Sequence, residues 1–340
     1  MRSLKMQITK LLKTILFYSG VYALIRKFKP NSKVAILRYH AIVDDHDNHY
    51  AHPTICLSKK KFEQHVKYFA SRYTVLSLDQ VIQALRTNTP LPKNAVAFTF
   101  DDGYADNLYA AKILKKYSAT GTFYLTAACI DRQEPFWLSE LIYYFLHSQK
   151  PSFELNLDSG EVVPFSFKQA DNEKRWRMNE KVVGIIKGNN RALREKIRAQ
   201  IRSELNDVNF QQVEKNIMLT WEQVAEMKNA GMTLGGHTMT HLNLPNAGQD
   251  DALLEIKECK ALLEEKLDCQ IAHFSYPNSG PYDYYTEEIR DLVESCGYLS
   301  STTSYAGFAG PDSDHFALRR VRTVPSLVET VSGMEWDRIF

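Results

Sequence analysis

The sequence predicts an α/β protein whose core is a distorted (β/α) barrel, with a mostly helical insertion and an N-terminal amphipathic helix. Strand and helix patterns alternate before and after a central interruption, which is typical of a parallel sheet or barrel. Acidic residues end one predicted strand and histidines follow another. The chain has 340 residues, 44% hydrophobic and 24% charged, which is a globular composition with room for a large core.

The first half of the predicted barrel contains three strands. A buried strand at 34–40 ends in a Tyr-His pair and precedes a polar loop. Two helices follow, one capped by Ser58 and one opened by Ser77. A strand at 95–100, an acidic turn, a helix and a strand at 122–125 then form a β-α-β unit.

The alternation stops in the middle of the chain and then resumes. The interruption contains an aromatic segment, a stretch at 153–167 that alternates like a β-hairpin, and charged helical sequence. We therefore expect an insertion beside the barrel rather than part of it. The predicted divisions are an N-terminal amphipathic helix at 1–30, the barrel at 31–130 and 218–325, the insertion at 131–217, and a C-terminal tail at 326–340.

Net charge and cysteine content exclude several classes of protein. The formal charge of +2, from 42 basic and 40 acidic side chains, provides no field that would concentrate nucleic acid. The five cysteines are widely spaced and include no C-x-x-C pair, so neither a disulfide framework nor a cysteine zinc site is indicated. Free thiols favour a reducing compartment, and we expect a cytoplasmic or membrane-associated protein.

The N-terminal segment, residues 5–29, combines an apolar stretch with lysines and arginines at both ends. It lacks the roughly 20 consecutive apolar residues of a membrane-spanning helix and the small-residue cleavage site of a signal peptide. Apolar residues three and four apart fit a helix that lies in a membrane interface. Packing against the catalytic domain is an equal alternative.

Two short motifs carry the chemistry. Asp101 and Asp102 end the strand at 95–100, and His237 and His241 lie four residues apart after a Gly-Gly pair. The carboxyl ends of parallel strands meet on one face, where β/α proteins place their sites. One carboxylate and two imidazoles can bind a divalent ion there, while the second carboxylate faces the reacting water. The combination predicts a metal-dependent hydrolase.

These motifs resemble those of the polysaccharide deacetylase family, which is carbohydrate esterase family four or the NodB-homology family. The first family motif, T-F-D-D-G, is present at 99–103, and the second, H-[S/T]-x-x-H, at 237–241. The resemblance implies that Asp101 is the general base, that Asp102, His237 and His241 bind the metal, and that Thr238 braces the loop. It also implies a NodB-type barrel with one divalent ion, zinc in the first place and cobalt, nickel or iron otherwise.

The third family motif is altered. The family commonly has R-x-P-Y-G, whereas this chain has Ser275, Tyr276, Pro277 and Asn278, followed by Ser279 and Gly280. The family arginine, which orients the catalytic aspartate, is therefore absent from this position. The backbone N–H of Asn278 is expected to bind the developing oxyanion, with Tyr276 and Pro277 supporting it.

The chain also lacks the C-terminal leucine-x-histidine that provides the general acid in many members. It is similar to the circularly permuted branch that includes poly-N-acetylglucosamine deacetylases, in which a strand ending in Tyr-His precedes the first motif. His40 occupies that position and is expected to protonate the leaving amine. A histidine with a purely structural role at the strand end is the alternative.

We therefore expect a metal-dependent polysaccharide deacetylase that hydrolyses the linear amide of an N-acetylated sugar in a bacterial-type polysaccharide or glycolipid. One alternative is an O-acetyl esterase, or a deacetylase of a lipid-linked sugar in envelope polysaccharide assembly. A catalytically inactive carbohydrate-binding protein on the same barrel is the other. The expected partners are the acetylated substrate and, through residues 5–29, a membrane surface, but no nucleic acid.

Overall fold

A computed structural model describes residues 2–44, 48–131, 135–210, 217–279 and 283–338. The described residues form the following helices and strands: α1 Arg2–Tyr18, α2 Val21–Phe28, β1 Ala35–Tyr39, β2 Ala41–Val43, β3 Cys56–Ser58, α3 Lys59–Arg72, β4 Thr74–Val75, α4 Leu78–Arg86, β5 Ala95–Phe100, α5 Asn107–Lys116, β6 Gly121–Leu125, α6 Ala127–Asp131, α7 Trp137–His147, β7 Ser152–Asn156, β8 Val162–Ser166, α8 Asn172–Lys187, α9 Arg191–Glu204, α10 Trp221–Asn229, β9 Thr233–Gly236, α11 Leu244–Ala247, α12 Gln249–Leu267, β10 His273–Ser275, α13 Glu287–Ser295, β11 Ser300–Ala306, β12 Leu318–Arg322 and α14 Leu327–Glu335.

The predicted barrel is confirmed. Seven parallel strands pair in the order β1-β12-β11-β10-β9-β6-β5, and pairing of β1 with β5 closes the ring, while the short β4 extends the sheet beside β5. The first strand therefore lies between the last strand and β5, which places the end of β1 beside the acidic turn after β5.

Two glycines make the turn after β9 possible. A Cβ on Gly235 would lie 2.6 Å from the ring of Tyr124 on β6 and 2.8 Å from the carbonyl oxygen of His273 on β10. On Gly236 it would lie 2.5 Å from the hydroxyl of Tyr298. Only glycine allows β9 to pack this closely between its neighbours, so the Gly-Gly pair seats the following histidine loop against the barrel.

The insertion contains helices α7, α8 and α9 and the antiparallel hairpin β7–β8, so the mostly helical insertion and its hairpin form as expected. Buried and exposed residues alternate along both hairpin strands, and the rings of Phe153 and Phe165 stack with centroids 4.9 Å apart. Glu140 on α7 forms a buried ion pair with Arg198 on α9, with Oε2 and Nε 2.7 Å apart. The hydrophobic core of the insertion continues into residues above the barrel, including Tyr104.

The N-terminal segment is helical, as expected, but it is divided into two helices, α1 and α2. The chain breaks at Ser19-Gly20, where Gly20 has a φ of 82°, a backbone conformation that ends α1 and starts α2 at an angle of 66°. The hydroxyl of Tyr22 on α2 donates to Ser332 Oγ on α14, which fixes the second helix to the barrel. Among the described residues no single helix is long and apolar enough to cross a membrane. Met6–Tyr18 and Val21–Phe28 together have the necessary length and composition.

The segment expected as a C-terminal tail contains α14, which packs on the barrel. Ser326 caps the helix by accepting from the backbone N–H of Glu329, and Val331 and Met334 are buried in the main core. Glu329 also accepts a hydrogen bond from Lys13 on α1, with 2.7 Å between Oε2 and Nζ. The two ends of the chain therefore support each other on the same side of the barrel.

Candidate metal and catalytic site

The residues singled out from the sequence converge at the carboxyl ends of the barrel strands. They surround a cavity of about 440 Å³, which is lined by His40, both aspartates of the first motif, His237, His241 and Asn278. The insertion forms another part of the cavity wall, because residues of α7 and α8 also line the cavity. The barrel and the insertion thus share one site.

Asp102, His237 and His241 offer three donor atoms to a single ion. The Nε2 atoms of His237 and His241 lie 3.3 and 3.4 Å from Asp102 Oδ1, and all three side chains are buried. In a tetrahedral zinc site, bonds of about 2.0–2.1 Å place neighbouring donors roughly 3.3–3.4 Å apart. The donor types therefore fit one divalent transition metal, and the two separations from Asp102 Oδ1 match those of such a site.

The orientation of the His237 ring is fixed by a hydrogen bond on the side away from Asp102. Its Nδ1 lies 2.7 Å from the carbonyl oxygen of Ser275, which can only accept, so Nδ1 carries the proton and Nε2 is left with a lone pair for a metal. His241 is positioned through its backbone, because the indole N–H of Trp137 donates to the His241 carbonyl oxygen at 3.3 Å. One histidine is oriented by the barrel and the other by the insertion.

Thr240 anchors the loop between the two histidines. Its backbone N–H donates to Glu255 Oε2 at 2.8 Å, and its hydroxyl donates to Oε1 at 2.6 Å. Arg194, on α9 of the insertion, donates to the carbonyl and hydroxyl oxygens of Thr240 at 3.1 and 2.9 Å. The Thr238 hydroxyl, which was expected to brace this loop, makes no hydrogen bond within the described ranges.

Asp101 is held by Arg320, which takes the place of the missing motif arginine. Two guanidinium nitrogens of Arg320 donate to Asp101 Oδ1 and Oδ2 at 2.7 and 2.8 Å, and the Ser275 hydroxyl donates to Oδ1 at 3.3 Å. Burial disfavours the carboxylate, but Arg320, together with His40 and His237, outweighs burial and holds the pKa of Asp101 well below its ordinary range. Asp101 is therefore ionised and rigidly aimed at neutral pH.

His40 faces the same carboxylate. Its Nε2 lies 3.6 Å from Asp101 Oδ2, at the end of β1, and its side chain is mostly buried. Burial lowers the pKa of His40 to about 4, against the opposing charges of Asp102 and Asp101. The imidazole is thus neutral at pH 7 and can take up a proton during a reaction before it releases one.

The altered third motif places Asn278 at the cavity and buries the residues before it. The hydroxyl of Tyr276 donates to the carbonyl oxygen of Phe316 at 2.9 Å, and Pro277 is buried. Asn278 itself has a left-handed backbone with a φ of 76°, and its carbonyl oxygen accepts from Ser304 Oγ. Its N–H makes no hydrogen bond in the described parts of the chain, which leaves this donor free for a ligand. Gly280 lies outside the described residues.

Left-handed backbone is concentrated at this site. Asp102, Thr238, His241 and Asn278 all have φ between 55° and 80° although none is glycine. Such conformations are disfavoured by about 1–3 kcal/mol each for ordinary residues and persist only where surrounding contacts impose them. The surrounding contacts therefore hold these four residues in strained backbone conformations, and three of them, Asp102, His241 and Asn278, line the cavity.

The structure brings to the site several residues that no motif in the sequence singles out. Arg320 is one of three arginines on β12, and only its inward position distinguishes it from the exposed Arg319. Arg194, Glu255 and Trp137 act from helices, where the sequence shows ordinary charged or apolar positions. Their roles depend on tertiary contacts that no local pattern signals.

Three comparisons agree with this structure. Residues 192–300 match the family model described as polysaccharide deacetylase, a segment that includes both histidines but begins after Asp101 and Asp102. A relative from Bacillus subtilis (strain 168), named "Putative polysaccharide deacetylase YxkH", is 23% identical over 313 residues, which are 92% of this chain and 78% of the relative.

Two solved structures share the fold. The Streptococcus pyogenes deacetylase PplD, in complex with acetate, has a TM-score of 0.58 at 21% identity, covering 89% of this chain and 97% of its own. IcaB from Ammonifex degensii has a TM-score of 0.53 at 16% identity, covering 91% of this chain and 96% of its own. The two motifs, their meeting at one metal-binding geometry and these similarities agree: the chain is similar to the polysaccharide deacetylase family, whose model matches residues 192–300.

Proposed function

We propose that this protein is a metal-dependent hydrolase that removes the acetyl group from an N-acetylated sugar of a polysaccharide or glycolipid. The observation that carries the proposal is the Asp102–His237–His241 cluster beside an ionised Asp101 in one cavity. Three protein donors with a free fourth position are typical of catalytic zinc sites. Zinc is accordingly the proposed ion, with cobalt, nickel or iron as alternatives.

Asp102, His237 and His241 would hold the ion. When bound, it would polarise the acetyl carbonyl and lower the pKa of a water molecule. Asp101 accepts a proton from the attacking water, and the bidentate contact with Arg320 keeps its carboxylate in place as it does so. The free N–H of Asn278 donates to the carbonyl oxygen as negative charge develops there.

His40 completes the reaction by protonating the leaving nitrogen. Its neutral imidazole, 3.6 Å from Asp101, can receive the proton that Asp101 has taken from water and pass it on as the carbon–nitrogen bond breaks. The products are acetate and a free amine, and one water molecule is consumed.

The proposal is tested by acetate release from N-acetylglucosamine oligomers and from a chromogenic acetyl ester, using chelated protein reloaded with zinc, cobalt or nickel. We expect release from the amide that requires metal. Release from the ester alone would replace the amide substrate with an O-acetyl ester. Tight metal and glycan binding without any release would instead identify a carbohydrate-binding protein.

A second observation favours a membrane-bound or lipid-linked substrate. Basic residues stand beside large apolar side chains that are exposed on the two N-terminal helices. These exposed apolar residues are Met6, Ile8, Leu11, Leu12, Ile15, Tyr18, Leu24 and Phe28. An apolar face flanked by lysine and arginine fits the interface of an anionic membrane. We propose peripheral membrane association through residues 5–29, with a lipid-linked sugar as the substrate.

Flotation with anionic vesicles tests this association. Full-length protein is compared with a truncated form that starts at Asn31, and with Leu11→Asp/Ile15→Asp, which changes the exposed face only. We expect only the unmodified protein to float. Equal flotation of all three proteins would remove the basis for a lipid-linked substrate, without affecting the deacetylase proposal.

A further inference from the structure

The cavity carries more positive charge than its own carboxylates neutralise. Arg38 on β1, Lys187 at the end of α8 and Arg322 on β12 all line it. Of the carboxylates that face it, Asp101 is already paired with Arg320, which lies behind the cavity wall. Asp101 also attracts Arg38, but both of its carboxylate oxygens are already hydrogen-bonded to the Arg320 guanidinium.

The other two carboxylates are also engaged. Asp102 belongs to the metal cluster, where a divalent ion would exceed its charge. Glu180 lies at the exposed side of the cavity and is 3.0 Å from His52 Nε2. The three cations consequently face at most one partly exposed carboxylate, which leaves a positive cavity.

Arg38 is the most informative of these cations. Its side chain is partly buried, yet in the described parts of the chain its guanidinium makes no ion pair or hydrogen bond. Burial, followed by the neighbouring charge of Arg320, lowers the pKa of Arg38 to about 10, so it remains cationic at neutral pH. A partly buried charge without a partner is unfavourable unless a ligand neutralises it.

The insertion provides matching donors. Asn179 and Lys187 lie eight residues apart on α8 and both line the cavity, with Val183 between them. The Asn179 side chain is only 2% exposed, and its Nδ2 has no partner among the residues that the structure describes. A buried amide donor of this kind requires an oxygen acceptor.

We infer that the substrate is an N-acetyl sugar that carries an anionic group, and that Arg38 is the principal anchor of that group, assisted by Lys187 and Asn179. The inference rests on the proposed function and specifies its substrate class. A guanidinium binds carboxylate or phosphate through two parallel hydrogen bonds, so either anion satisfies Arg38. A neutral N-acetylglucosamine oligomer would leave it unpaired.

The test compares kcat/KM for three substrates with the metal-loaded protein. Methyl N-acetylglucosaminide is neutral, N-acetylglucosamine 1-phosphate carries phosphate, and N-acetylmuramic acid carries carboxylate. We expect the wild type to prefer at least one anionic substrate by about tenfold or more, as charge-assisted hydrogen bonds predict. The better of the two identifies the anion.

Arg38→Met should abolish this preference, by lowering kcat/KM for the anionic substrate towards that for the neutral one. Arg319→Met is the matched control, because Arg319 is exposed on the last barrel strand and does not line the cavity. Arg38→Met should also retain or raise the melting temperature, since it removes an unpaired charge. A large fall in melting temperature would show that Arg38 has a structural role instead.

Equal turnover of neutral and anionic substrates by the wild type would overturn the inference and leave the proposed function intact. If none of the substrates releases acetate, the proposed function fails, and calorimetry of the metal-loaded protein with the same three compounds decides the binding question alone. Tighter binding of an anionic sugar that Arg38→Met abolishes would support the anionic site. Equal binding of all three would contradict it.

Discussion

The barrel and the insertion contribute to one cavity in different ways. Every group that would react or bind the metal comes from the barrel, at the ends of β1, β5, β9 and β10. The insertion supplies a wall through α7 and α8 and reaches the metal loop through Arg194 and Trp137. The proposed chemistry therefore depends on residues at the strand ends. The added segment affects substrate access, substrate selectivity and the rigidity of the metal loop.

The largest effect is expected from the barrel. Asp101→Asn keeps the size of the side chain but removes the base, so kcat/KM for deacetylation should fall by about a thousandfold or more. Metal content should be unchanged because Asp101 is not part of the metal cluster. Retention of wild-type activity in the folded, metal-loaded variant would contradict the assignment of the base.

Arg320→Met tests how the barrel aims that base. The substitution leaves Asp101 buried without its bidentate partner, and breaking a buried ion pair costs about 3–5 kcal/mol. We expect a clear loss in the free energy of unfolding, measured with denaturant, together with reduced activity. Arg319→Met, one residue earlier and exposed, is the control and should change neither. An unaltered unfolding free energy would show that Ser275 alone suffices.

A smaller effect is expected from the insertion. Arg194→Met removes two hydrogen bonds to Thr240 in the metal loop, and loss of such supporting contacts typically weakens metal binding by about 10- to 100-fold. Lys196→Met, on the exposed side of the same helix, is the control. The measurement is zinc affinity by competition with a chromogenic chelator. Identical affinities for both variants would mean that the insertion does not stabilise the metal site.

A further effect concerns the pH dependence of barrel stability. His65 is fully buried beside the Tyr39 hydroxyl, and burial lowers its pKa to about 4. The unfolded imidazole binds a proton below about 6.5, so stability from this group is complete above that pH and is lost as the pH falls towards 4, by at most about 3 kcal/mol. Glutamine does not titrate, so His65→Gln should reduce the dependence of the unfolding free energy on pH between pH 6.5 and 4. An unchanged slope would place the acid sensitivity elsewhere.

The same division explains what the sequence could and could not predict. The strand-end motifs at 101–102 and 237–241 are local, and the rule that parallel strand ends meet was enough to bring them together. Arg320 could not be assigned, because its role depends on which arginine of β12 points inward. The break at Gly20 was missed for a different reason: apolar spacing continues across it, and only the backbone geometry turns the chain.

The most direct test of the metal-dependent deacetylase is acetate release from N-acetylated sugars, neutral and anionic, by wild-type protein and His237→Ala. Both are measured after chelation and after addition of zinc. We predict that chelation abolishes release, that zinc restores it only in the wild type, and that His237→Ala binds zinc weakly. Acetate release that persists after both chelation and loss of His237 would contradict the proposed metal-dependent deacetylase.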